Sequence, residues 1–218
     1  MKSKKKIIMS SILIGMIVTM IGIVGYYWYN STHFVSTEDA KLNADLLRVT
    51  PQISGKLLEF SVEEGDKVNK NQIIGRQDIA GQTSDTLENA IIRSPIDGII
   101  IKKQASEGEM CTAGQTLAYV INQDDIYVTA NIEETKLTKL RLGEKVDITI
   151  DKYKSKKFSG KIASIGEAST ATFSLLPTST SANFTKVVQK VPVKIKLDKY
   201  SNVKLLPGIN VVVNIHIR

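Results

Sequence analysis

The residues able to do chemistry in this 218-residue chain are few and scattered. His33 and His216 are its only histidines, and neither has a neighbour at a spacing that would complete a metal site. Cys111 is the single cysteine, so neither an internal disulfide nor a cysteine-based metal cluster can form. It sits beside a turn signal and reads as a half-buried thiol. Adjacent carboxylates occur at Glu63-Glu64 and Asp124-Asp125, both beside turn signals, where acidic side chains are ordinarily solvated. No Gly-x-Ser-x-Gly elbow, P-loop or dinucleotide fingerprint is present. The chain therefore reads as no enzyme, with no catalytic residue, no bound cofactor and no metal ligand. Its formal charge of +7 owes four units to Lys2, Lys4, Lys5 and Lys6. The remainder is too nearly balanced, and too poor in arginine interleaved with aromatics, for a nucleic-acid partner.

What positions these residues begins with "MKSKKK" (1–6), a basic cytoplasmic tail, followed by an uncharged run from Ile7 to Trp28. At about 1.5 Å per residue that run makes a helix of roughly 33 Å, enough for a hydrocarbon core of about 30 Å. Residues 7–29 are thus expected to be a transmembrane anchor. Basic residues ahead of it keep the N-terminus in the cytoplasm and place the rest outside. Tyr26, Tyr27, Trp28 and Tyr29 form an aromatic belt at the outer headgroups. The run ends in bulky aromatics and not in a small-x-small cleavage site, which predicts an uncleaved, single-pass protein of the cell membrane. No second long apolar run follows, so the chain is not itself a many-span transporter.

Beyond a linker and first strand (30–46), the sequence repeats itself. "QISGKLLEFSVEEGDKV" (Gln52 to Val68) is echoed by "PIDGIIIKKQASEGEMC" (Pro95 to Cys111). Gly55 leads to Glu64-Gly65 as Gly98 leads to Glu107-Gly108, and Gln72 and Gln115 stand at matching places. Ser54-Gly55 and Asp97-Gly98 read as tight-turn pairs whose glycines supply positive φ. Alternation in "KLLEFSV" and its neighbours marks half-buried strands. One copy has too few strands to bury a face alone, whereas two can interleave around a shared core. Residues 47–122 are therefore read as one module with halves 47–78 and 91–122 and a short linker, 79–90. This spacing resembles the two halves of a lipoyl/biotinyl-like barrel-sandwich hybrid. The linker contains no lysine, so a covalent swinging-arm carrier lacks its attachment point.

From 123 to 218 the pattern predicts a small β-barrel. "IYVTANI", "KFSGKIASIG", "KVVQKVPVKIKLD" and "GINVVVNIHIR" alternate as strands. "EETKLTKLRLGEKVDI" predicts one short helix running into a strand, with Leu137 and Leu140 on one face and Gly143 at its C-terminal stop. A Ser/Thr-rich loop, 167–186, carries Phe173, Leu175, Leu176 and Phe184 as a partner-contact element. The fold class is thus mainly β: an N-terminal transmembrane helix, the hybrid, then the barrel.

Four segments, "VSTEDAKLNADLLRVTPQISGKL", "RSPIDGII", "NIEETKLTKLRLGEKVDI" and "FSLLPTSTSANFTKVVQKVPVKI", resemble the HlyD-type membrane fusion (adaptor) proteins, and among them the EmrA-like branch. The resemblance covers nearly all of the chain after Phe34. It implies an anchored adaptor of an export system, multidrug efflux foremost, that assembles with a major-facilitator or ABC-type transporter as a trimer or hexamer. Members usually carry a long α-helical hairpin between the two lipoyl halves. Here a dozen residues occupy that place, too few for a two-helix coiled coil. A reading of a different class keeps the same fold: an anchored extracellular β protein that binds or assembles an envelope component with no transporter partner.

Overall fold

The computed structural model describes residues 2–78, 87–153, 156–169, 188–198, 203 and 205–217, and, within α1, the side chains of 13–29, 32 and 33. The chain divides into two units, one of residues 42–127 with 203–208, the other of the flanking segments.

The first unit shows what the sequence echo builds. Its strands are β2 (Leu46–Val49), β3 (Gly55–Phe60), β4 (Lys67–Val68), β5 (Ile73–Asp78), β6 (Ile91–Arg93), β7 (Gly98–Lys103), β8 (Met110–Cys111) and β9 (Ala118–Ile121). They form two four-stranded sheets in the orders β2-β9-β7-β4 and β6-β5-β3-β8. Each sheet takes two strands from each half, so neither half owns a sheet. Leu57, Phe60, Val68 and Ile74 from one half pack with Ile92, Ile100, Cys111 and Leu117 from the other in one buried cluster.

The halves clamp each other by reciprocal backbone bonds. Leu57 N donates to Glu109 O at 2.8 Å and Ile100 N to Asp66 O at 3.0 Å; Gly108 N donates to Leu57 O at 2.7 Å and Gly65 N to Ile100 O at 2.8 Å. Side chains repeat the exchange. Glu107 Oε1 accepts the Phe60 amide at 2.9 Å, and Glu64 Oε1 accepts the Lys103 amide at 3.2 Å. Gln72 and Gln115 close their own turns by accepting the amides of Asn69 at 2.8 Å and Thr112 at 3.0 Å. These bonds satisfy backbone groups that a half alone would leave exposed.

Two kinds of glycine serve this geometry. Gly65 and Gly108 hold φ of +98° and +86°, the left-handed turn conformation. Gly55 and Gly98 differ from the expectation of positive φ. They open β3 and β7, where a Cβ at Gly55 would lie 2.6 Å from Asp78 O, and one at Gly98 would collide with Ile121 O. Close approach of a neighbouring strand, not turn conformation, demands glycine there.

In the second unit, β1 (Phe34–Asn43), β10 (Tyr127–Glu133), β11 (Lys145–Ile150), β12 (Phe158–Ile165), β13 (Lys190–Leu197) and β14 (Asn210–His216) close a barrel in the order β1-β10-β13-β12-β11-β14. Alternation directs Ile148, Ile150, Ile195 and Val213 inward, all at most 1% exposed. β1 is a strand of this barrel, paired antiparallel with β14 from Phe34↔His216 onward; the sequence reading had it only as a strand ahead of the hybrid. The helix expected before β11 is a single turn, α2 (Glu134–Leu137). Four residues form too short a helix to hold itself, and Leu140 is buried from the following turn. Gly143 therefore does not end the helix; it supplies φ +82° to a separate turn before β11.

Candidate docking site at one end of the barrel

α1 (Lys2–His33) runs without a break into β1 at Phe34. Ile217 N donates to His33 O at 2.9 Å, tying the C-terminal strand to the helix end. His33 stacks on Tyr29 with ring centroids 4.2 Å apart, and Phe34 meets the edge of His216 at 4.8 Å. The two histidines, far apart in sequence, thus occupy neighbouring positions on one barrel end. Each has its own partner: His33 Nδ1 lies 2.9 Å from Tyr29 O, and His216 Nε2 lies 2.7 Å from Asp147 Oδ2. Among the described residues no three His, Cys, Asp or Glu side chains converge as a metal site would require. Every described side chain of α1 is exposed, Tyr29 to 59% and Trp28 to 73%. Among the described residues no helix is long and apolar enough to cross a membrane; the described side chains of α1 start at Leu13.

The registers place further elements at the same end. β12 leaves and β13 enters there, with Ile165 opposite Val193, so the Ser/Thr-rich loop has both its stems on this end. Gly166 N donates to Pro192 O at 2.8 Å, and Glu134 N to Gln189 O at 2.9 Å. The loop residues singled out from the sequence, Phe173, Leu175, Leu176 and Phe184, lie outside the described residues. On the adjoining flank, Lys190 Nζ pairs with Asp39 Oδ2 at 2.7 Å, and Asn131 Nδ2 donates to Asp39 Oδ1 at 3.1 Å. The Lys190 bond, then the Asn131 bond, hold the Asp39 carboxyl below its ordinary range, and Asp39 holds the Lys190 ammonium above its own.

Between these features lies a concavity of about 450 Å³, lined by residues 141–145 with Lys161, His216 and Ile217. Lys145 and Lys161 stand directly opposite each other on β11 and β12. The alternating burial of β11 turns Lys145 outward, and Lys161 is exposed beside it. Arg141 and Leu142 form the rim, and Leu142 is 67% exposed. The acidic groups facing this patch are engaged: Glu144 Oε2 accepts the Arg141 amide at 3.0 Å, and Asp147 holds His216. Sequence alternation turns each lysine outward, but only the strand register, which is non-local, brings the two together.

The remaining sequence-level candidates have structural roles. Cys111 is 1% exposed in the hybrid core, and burial, then the Glu109 charge, raises its thiol pKa. Glu63 pairs with Lys103 at 2.8 Å. Asp125 accepts from Asn122 Nδ2 at 2.7 Å, in a 3-10 turn whose Asp124 amide donates back to Asn122 Oδ1 at 3.0 Å. None of these arrangements presents an activated nucleophile or a general base to a cleft.

Comparison with known proteins agrees with this anatomy. Residues 45–122 match the family described as YhbJ, barrel-sandwich hybrid domain, and residues 125–216 the AAEA-like beta-barrel domain. The chain is 38% identical over 187 residues to the "Putative efflux system component YhbJ" of Bacillus subtilis, covering 85% of this chain and 80% of that protein. It is 41% identical over 114 residues to the "Multidrug export protein EmrA" of Haemophilus influenzae, but this spans 51% of this chain and only 29% of that protein. Among solved structures, that of "the periplasmic adaptor protein EmrA" superposes with a TM-score of 0.61 at 14% identity, covering 85% of this chain and 99% of that one. At that identity the likeness speaks for the fold.

Proposed function

This chain belongs to the HlyD-type membrane fusion (adaptor) protein family, in its EmrA-like branch and with the α-helical hairpin missing, and from that premise we propose that it is the membrane-anchored adaptor subunit of an export system, multidrug efflux foremost. The observation that carries this reading is the pairing, in one chain, of an interleaved hybrid with a barrel, matched along most of its length by an efflux system component. An adaptor positions and seals; it performs no covalent step, in keeping with membership of a family of non-enzymatic proteins.

α1 is the anchor in this proposal, crossing the membrane once with its lysines inside and its aromatic residues at the outer face. The partner is a many-span transporter of the major-facilitator class, with the ABC class as the alternative. Several copies would surround it, the hybrids stacking on neighbouring copies. The barrel end described above, with the stems of the Ser/Thr-rich loop, is the surface offered to the transporter and membrane. Residues Phe173, Leu175, Leu176 and Phe184 supply the apolar contacts of that loop.

Only residues 79–90 separate β5 from β6. A pair of helices long enough to reach a second membrane cannot be built from them. Docking to an exit duct through a hairpin tip is therefore no part of this proposal. Deletion of the adaptor and deletion of its transporter, singly and together, test the reading in cells. The proposal expects the same drug sensitivity from each deletion and no further loss from both. Sensitivity confined to the transporter deletion would leave the transporter-free, envelope-binding reading in its place.

A further inference from the structure

We infer that the barrel end from which α1 emerges carries a docking surface for anionic lipid headgroups, formed by Arg141, Lys145 and Lys161 around the exposed Leu142. The inference rests on the membrane-anchored reading of α1 and goes beyond it. It assigns the barrel its own contact with the bilayer, one the anchor alone does not require.

Three observations carry it. Lys145 and Lys161 are direct cross-strand neighbours on the same outward face. Like charges so placed repel, and an arrangement that the fold alone would disfavour is relieved when an anion lies between them. Arg141, Lys145 and Lys161 form no ion pair among the described residues, while Glu144 and Asp147 are already committed to the Arg141 amide and to His216. Three cations thus stand against the two carboxylates of Glu144 and Asp147, and the concavity they line keeps a net positive charge.

The second observation is place. The concavity includes His216 and Ile217, the residues that touch the helix end through Phe34 and His33. Tyr26, Tyr27, Trp28 and Tyr29 lie within the last two helical turns of α1, which ends at His33 beside it. If those aromatics sit among the headgroups, the phosphates of the outer leaflet lie within side-chain reach of the barrel end. The third is chemistry. Leu142, 67% exposed on the rim between Arg141 and Gly143, is an apolar side chain set among cations. That combination suits an interface of phosphates over acyl chains better than bulk water. A basic residue near an anionic membrane surface contributes about a fivefold preference, so three together give roughly a hundredfold before screening by salt.

The test uses the full chain in lipid nanodiscs carrying a headgroup-nitroxide lipid as quencher. The sole tryptophan, Trp28, reports the anchor. A bimane on Leu142→Cys reports the barrel end, in a Cys111→Val background chosen because Val68 fills the equivalent core position. The inference expects Trp28 to be quenched equally in phosphatidylcholine and phosphatidylglycerol discs. The bimane should be quenched at least about twice as strongly with phosphatidylglycerol, and this excess should vanish in high salt. It should vanish also in the Arg141→Gln/Lys145→Gln/Lys161→Gln variant, yet persist when both lysines become arginine. All are exposed positions, and circular dichroism of each variant checks the barrel.

Bimane quenching indifferent to lipid charge or to the triple variant, with Trp28 still quenched, overturns the docking surface and leaves the anchor standing. Loss of Trp28 quenching overturns the anchor and the docking surface together. Loss of the phosphatidylglycerol-dependent excess on adding inorganic phosphate at constant ionic strength would make the site one for free anions and also overturn the inference.

Discussion

Leu57 and Ile100 hold equivalent positions in the two halves of the hybrid, and both are fully buried in its one core. Each also hands its amide and carbonyl to the opposite half. Truncating either to alanine removes its packing and leaves those backbone bonds in place. For a fully buried Leu or Ile the cost is about 2–5 kcal/mol, combining lost transfer energy with the residual cavity. Taking about 3 kcal/mol, and a tenfold change for each 1.4 kcal/mol, the opening equilibrium of the module rises roughly a hundredfold. A domain stable by about 5–15 kcal/mol survives that loss and remains folded. Hydrogen exchange by mass spectrometry on the full chain in nanodiscs reads the change directly. Because the core is shared, Leu57→Ala should accelerate exchange in residues 98–111 as much as in 55–68, and Ile100→Ala should do the same in reverse. Strands β11 and β14, which belong to the barrel core, are the internal reference. Acceleration confined to the half that carries the substitution would refute the shared core, because each half would then be opening alone.

Lys56 and Met110 are register partners from opposite halves and both are exposed, so Lys56→Cys with Met110→Cys, in the Cys111→Val background, should form a disulfide within one chain under mild oxidation; a bond formed only between chains would count against the interleaving. Cys111, with its thiol pKa raised by burial and then by Glu109, should react with an aromatic disulfide reagent only as the module opens, and prompt stoichiometric reaction in the native protein would contradict its placement. Asp39 should titrate below its ordinary 3.8, by its carboxyl carbon shift, because Lys190 and then Asn131 stabilise the carboxylate. Its contribution is then present above the ordinary value and lost as pH falls through the lowered one, while that of Lys190, raised from 10.5, is lost as pH rises. The pair is nearly half exposed, so the effect on stability is small and salt-sensitive, and an unchanged Asp39 titration in Lys190→Gln would refute the assignment.

Much of the hybrid is legible in the sequence because its information is local and stated twice. Gly65 and Gly108, Glu64 and Glu107, and Gln72 and Gln115 each recur at one spacing, and repeated turn chemistry at a fixed spacing leaves few ways to pair the strands. The reason for glycine at 55 and 98 was not legible. It depends on Asp78 and Ile121, residues more than twenty positions away whose carbonyls come close only after folding. The partner of strand β1 was not legible for the same reason, since β14 lies far along the chain. The length of α2 was misread because the i, i+3 spacing of Leu137 and Leu140 serves equally for a helix and for one turn followed by a bend. The basic patch was invisible as a patch: Lys145 and Lys161 each read as ordinary outward residues of alternating strands, and only their register makes them neighbours.

The measurement that bears most directly on the account is recovery of the chromosomally tagged full chain from its own membranes, in a mild detergent that preserves transporter complexes, followed by identification of what accompanies it. An adaptor of the kind argued here should bring down a many-span exporter with several of its own copies per complex. Recovery of the chain alone, or with envelope components and no many-span protein, would contradict the central claim.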